Sequence, residues 1–119
     1  MTVRRLKTYT AATGYVYQYY FVGSRQAPPT HLERGVEYVF DVSSDRKTSF
    51  AVAICLSSQT LMAWAARHGR ELSDPEQYAV VKMRLFQAFD EIEDMRRDGQ
   101  RLSVEPESMD AALIALGIE

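Results

Sequence analysis

Six of the seven tyrosines, Tyr9, Tyr15, Tyr17, Tyr19, Tyr20 and Tyr38, fall within the first 38 residues. Tyrosine offers a large apolar ring with a polar tip, which suits it both to cores and to interfaces. Tyr15, Tyr17, Tyr19 and Tyr20, with Arg5 and Lys7 beside them, form the candidate partner- or ligand-binding set. Aromatic rings flanked by Arg4, Arg5 and Lys7 also have the makings of a stacking platform for single-stranded bases or sugars.

Other reactive groups are sparse. His31 and His68 are the only histidines. His68 precedes Gly69 at an expected helix end, where an imidazolium interacts favourably with the helix dipole. His31 lies in a Pro-Pro-containing stretch, and no motif ties a nucleophile to it. The chain has no Gly-x-Ser-x-Gly, His-Glu-x-x-His, Gly-x-Gly-x-x-Gly or phosphate-loop pattern. Residues 41–47 gather Asp41, Asp45, two serines, Arg46 and Lys47, so a small hydrolase would pair His31 with Asp41 and Asp45. Asp90, Glu91, Glu93 and Asp94 form a carboxylate cluster. A metal site there would need ligands from elsewhere, and a solvated face is the simpler reading. Cys55 is the only cysteine, so an intrachain disulfide is excluded and a thiolate zinc site lacks its other sulfurs. No cofactor is expected.

These residues need a scaffold, and the periodicities outline one. Residues 3–12 and 15–23 are rich in β-branched and aromatic side chains around Thr13-Gly14, which predicts a hairpin. Its second strand places Tyr15, Tyr17, Tyr19 and Phe21 on one face and Val16, Gln18, Tyr20 and Val22 on the other. Apolar mass on both faces fits a central strand covered on two sides, or one that keeps a face for a partner. Residues 23–35 read as a loop. Residues 36–42 and 49–56 alternate as strands, joined by the polar turn at 43–47. In the second of these, Ala51, Ala53 and Cys55 form a small-residue face on which a helix is expected to pack closely.

From Ser57 the period lengthens. Ser57 or Ser58 can cap a helix ending at His68-Gly69. Ser73, Pro75 and Glu76 then carry the signature of a capping box. An apolar stripe through Tyr78, Val81, Leu85, Phe89, Ile92 and Met95 predicts a helix to about Arg97, stopped by Gly99. Residues 101–105 suggest a short strand and residues 107–116 a last helix. The expected fold is one α+β domain over residues 1–119. Its sheet is mainly antiparallel, of about four strands, with the long helix packed on one face.

Composition narrows the function. The chain has 119 residues, 46% of them hydrophobic and 25% charged, with a net charge of -2, which fits an ordinary globular domain and not disorder. Residues 1–60 carry seven basic groups against four acids, and residues 61–119 carry seven against twelve. Halves of opposite sign suit either attraction within the fold or complementary surfaces between copies. The basic excess is small beside the phosphate contacts of tight duplex binders, so duplex nucleic acid is not an expected partner. No membrane span or secretory signal is read, and the expected location is a reducing cytoplasm. The expected function is a small non-enzymatic interaction or regulatory module. It would associate as a homodimer, or with another protein, through the tyrosine-rich sheet, and a small ligand is a further partner to consider.

Overall fold

The computed structural model describes residues 5–27 and 34–118. They form a five-stranded sheet in the order β1-β2-β3-β4-β5, with β1 Lys7–Thr10, β2 Val16–Gln26, β3 Gly35–Ser43, β4 Phe50–Ser57 and β5 Arg101–Ser103. The first four strands are an antiparallel meander, and β5 joins the β4 edge in parallel. Four helices complete the α+β fold: α1 Ser58–His68, α2 Asp74–Glu91, α3 Met95–Asp98 and α4 Pro106–Ala115. No described helix is long and apolar enough to cross a membrane.

Strand alternation builds the core. Tyr17, Tyr19, Tyr38, Phe40, Val42, Phe50, Val52, Ile54 and Leu56 point to one side and are buried there. Helix α2 covers them with Val80, Val81, Leu85, Ala88 and Phe89. The contact is largely aromatic. Phe89 stacks on Tyr17 at 4.2 Å between centroids, Phe86 stacks on Tyr9 at 4.5 Å, and Tyr78 meets Phe21 edge-on at 5.1 Å. Offset and edge-on pairs of this kind add to simple area burial because the ring quadrupoles are complementary. Helix α4 packs on α2, and α1 is tied to α4 by Arg67 and Asp110 and to the start of α2 by Arg70 and Glu76. Helices α1, α2 and α4 therefore form one layer on one side of the sheet.

The caps follow the expected chemistry. The Ser57 hydroxyl accepts from the Thr60 amide, and Gly69 closes α1 at φ 72°, a left-handed conformation that favours glycine. Ser73 and Glu76 make a reciprocal capping box at the start of α2.

The structure departs from the periodicity in four places. The second strand runs on to Gln26, so the expected loop is shorter; residues 28–33, including His31, lie outside the described residues. Helix α2 ends at Glu91 and not near Arg97. Ile92 turns extended, and the Asp94 carboxylate accepts from the Arg97 amide to start α3. The apolar stripe survives the break because the turn still delivers Met95 to the core. None of α1, α2 and α4 covers Ala51, Ala53 and Cys55, since the bulky alternate residues of β4 face those helices instead, and only Arg97 and Asp98 of the short α3 reach the margin of this face. A fifth strand is present, as residues 101–105 suggested, but it spans only three residues and pairs in parallel.

Candidate functional site

The sheet side turned away from α1, α2 and α4 presents side chains of β2, β3 and β4 to solvent, Val16, Val22 and Ala51 among them. Across it the register aligns Tyr20 with Asp41 and Ala51, and Arg25 with Glu37 and Cys55. Val22 follows Tyr20 on this side by alternation, and a β-bulge between Phe21 and Gly23 then shifts the phase so that Arg25 projects from the same side. Val39 pairs with Ala53, and Ala53 with Arg101 of β5. The result is a face of Val16, Gln18, Tyr20, Val22, Val39 and small residues, with charge at its ends.

One end is basic. Glu37 is only 2% exposed, held between Arg25 Nε at 2.9 Å and Arg101 Nη1 at 3.4 Å. The two guanidiniums remain well exposed, at 59% and 66%. A buried carboxylate needs such partners, because taking a lone charge out of water costs far more than a surface pair returns. Arg97 adds a third guanidinium, bound to Asp98, and a shallow concavity of about 460 Å³ opens over Val39, Ala51 and Ala53 between these arginines. At the other end Asp41 accepts from the Tyr20 hydroxyl at 2.6 Å. That bond places the Asp41 carboxylate at this end of the face.

The residues singled out by sequence are divided by the sheet. Tyr17 and Tyr19 are 2% and 3% exposed beneath α2, and burial pushes both phenols up. Their rings are core, which removes them from the surface set. Tyr15 is exposed, with its ring 6.5 Å from that of Tyr17, and Tyr20 lies half-buried on the outer side. Arg5 is exposed just before β1, and Lys7 stands opposite Tyr19 at the helix-side edge. Arg4 lies outside the described residues. One stripe thus supplies the core, and its complement supplies a surface.

The acidic turn is a structural device. Asp45 accepts from the Thr48 and Lys47 amides at 2.9 and 2.8 Å and from the Thr48 and Ser43 hydroxyls. Together these bonds hold its carboxyl well below the usual carboxylate range. Arg46, at φ 65°, takes the left-handed position in this turn. In the other acidic cluster, Asp90 binds the Tyr9 hydroxyl and the Ala12 amide. Among the described residues no group of three or more His, Cys, Asp and Glu is placed to hold a metal. His68 stacks on Trp64 at 4.2 Å, and its Nδ1 donates to the Trp64 carbonyl at 2.9 Å, which closes the last turn of α1.

Sequence reasoning did not single out Arg25, Glu37, Val39 and Arg101 as a set. The alternation of β3 places Glu37, Val39 and Asp41 on one face, but the bulge that aligns Arg25 and the parallel strand that brings Arg101 have no local signal. Comparison with family models, curated proteins and solved structures finds no match.

Proposed function

We propose that this protein is a non-enzymatic interaction module that pairs with a second copy of itself, sheet face to sheet face. The observation that carries this reading is the two-ended charge of the outer face. Its strands place Arg25 and Arg101 at one end and Asp41 at the other, with Val22, Val39, Ala51 and Ala53 between them. A two-fold axis through the middle of such a face sets the basic end of one copy against the acidic end of the other, as an isologous interface requires. The short apolar centre suits sheet-on-sheet packing, where inner faces interdigitate across about 10 Å.

The test is sedimentation velocity and light scattering across a wide concentration range. It uses the unmutated chain and two variants, Val22→Lys and Ala51→Arg, at exposed positions on this face. The expected result is a dimer for the unmutated protein and a monomer for both variants, with circular dichroism unchanged. A monomer at every concentration, or variants that dimerise as well as the parent, would overturn the proposal.

A further inference from the structure

On the helix side, at the opposite face from the proposed dimer contact, two lysines meet where repulsion should keep them apart. Lys82 projects from α2 between Tyr78 and Phe86, one turn before and one turn after it. Its Nζ sits 5.8 Å from the ring centroids of Tyr19 and Tyr78 and 5.6 Å from that of Phe86. Lys7 pairs with Tyr19 across β1 and β2, so both lysines border the Tyr19 ring and the Lys7 amine is within reach of Lys82. Among the described residues neither lysine forms an ion pair with a carboxylate. Burial pushes the Lys82 ammonium below the usual lysine range, and the Lys7 amine pushes it the same way.

Aromatic faces stabilise an ammonium, which accounts for Lys82 alone. They do not account for a second cation brought against the first. An anion bridging the two amines converts that repulsion into two charge-assisted hydrogen bonds in a partly desolvated place, where such bonds are strong. Phe21 of β2 lies on the same side as the pair, partly exposed, and its ring packs edge-on against Tyr78. An apolar or aromatic group carried by the anion would have a surface to rest on.

We propose that Lys7 and Lys82 form a binding site for a doubly charged phosphate group, with Phe21 and Tyr78 as the apolar margin for whatever carries it. A phosphate dianion offers several acceptor oxygens and enough charge to satisfy two ammonium groups at once.

The experiment titrates inorganic phosphate and phenyl phosphate, separately and at low ionic strength, into isotope-labelled protein followed by NMR, alongside thermal melts. Saturable shifts should centre on Lys7, Tyr19 and Lys82 with either probe. Tighter binding of phenyl phosphate marks an organic phosphate ester as the natural ligand, and equal binding marks free phosphate. The exposed variant Lys7→Gln should weaken binding about tenfold, the value of one lost charge-assisted bond. Without phosphate, the same variant should melt higher than the parent, because a like-charge contact is relieved. A purely structural lysine would not give these opposite signs. Lys82→Met should also lose the shifts. Absence of saturable shifts, or unchanged binding in Lys7→Gln and Lys82→Met, overturns the site. Neither outcome bears on the dimer, whose surface is on the other side of the sheet.

Discussion

Tyr9 and Asp90 are joined by a hydrogen bond across 81 residues of sequence: the phenol donates to Asp90 Oδ2 at 2.8 Å. The other carboxylate oxygen accepts from the Ala12 amide, also at 2.8 Å. One side chain near the end of α2 thereby ties β1 to the turn that follows it. Asp90→Ala should destabilise the fold by about 1.5–3 kcal/mol, the range for hydrogen bonds to a charged group, read by urea denaturation. The Asp90 hydrogen bond, with burial and the carboxylate charge, pushes the Tyr9 phenol up. Its stabilising effect is therefore present below the ordinary phenol range and lost as pH rises through the folded value. In Asp90→Ala the Tyr9 phenol should ionise at lower pH, as ultraviolet titration would report; an unchanged titration would contradict the clasp.

Phe89 is fully buried and stacked on Tyr17 at 4.2 Å. Phe89→Ala should cost about 3–5 kcal/mol through lost burial and the cavity left behind. That is a large share of the roughly 5–15 kcal/mol available to a domain. The urea midpoint should fall steeply, and a loss under about 1 kcal/mol would mean that α2 can settle into the gap.

Acid should lower the stability of the fold at two turns. Glu76 is lowered from 4.5 to about 2, first by its bond to the Arg70 guanidinium and then by the Ser73 amide. Asp45 is lowered chiefly by the Thr48 and Lys47 amides. A carboxylate with a depressed value stabilises the fold above its unfolded value, and that contribution fades as pH falls through the folded one. Melting temperature should therefore drop between about pH 4.5 and 2. Glu76→Gln and Asp45→Asn should each flatten that drop, and slopes equal to the parent's would contradict the assignment.

Gly35 opens β3 against the end of β4. A Cβ placed there would lie 2.6 Å from the Leu56 carbonyl oxygen and 2.9 Å from Ser57 Cα, both backbone atoms. The same turn is pinned by bonds from Ser58 N to the Arg34 carbonyl and from Ala27 N to the Gly35 carbonyl. Gly35→Ala should cost about 1–3 kcal/mol through forced backbone shifts. Amide exchange should rise at Ala27 and Ser58; an unperturbed exchange pattern would show that the strand ends give way freely.

Local chemistry made much of this fold legible. The alternation of β3 and β4, the Ser73–Glu76 box and the glycine after His68 each carry their own signal within a few residues. The face choice of β2 was not legible, because Tyr17 and Tyr19 on one side and Val16, Tyr20 and Val22 on the other are both apolar enough to be covered. Only α2, more than fifty residues later, decides between them. The break at Ile92 was hidden because Ile92 and Met95 keep the helical spacing while the backbone between them does not. A Cβ at Gly99 would meet the tip of the flexible Met95 side chain, which would have to move aside. The charged row on the outer face was invisible for another reason: Arg25, Glu37 and Arg101 come from three strands, one reached only after the helices.

The meander also sets an order of assembly. Strands β1 to β4 pair with their neighbours in sequence, so their loops are cheap to close, whereas β5 and the Tyr9–Asp90 clasp each wait on a long excursion of chain. Substitutions within β3 and β4 should act mainly on the rate of folding, and those at Asp90 or Leu102 mainly on the rate of unfolding. The clasp and the fifth strand thus act as late latches, governing how long the native state lasts once formed.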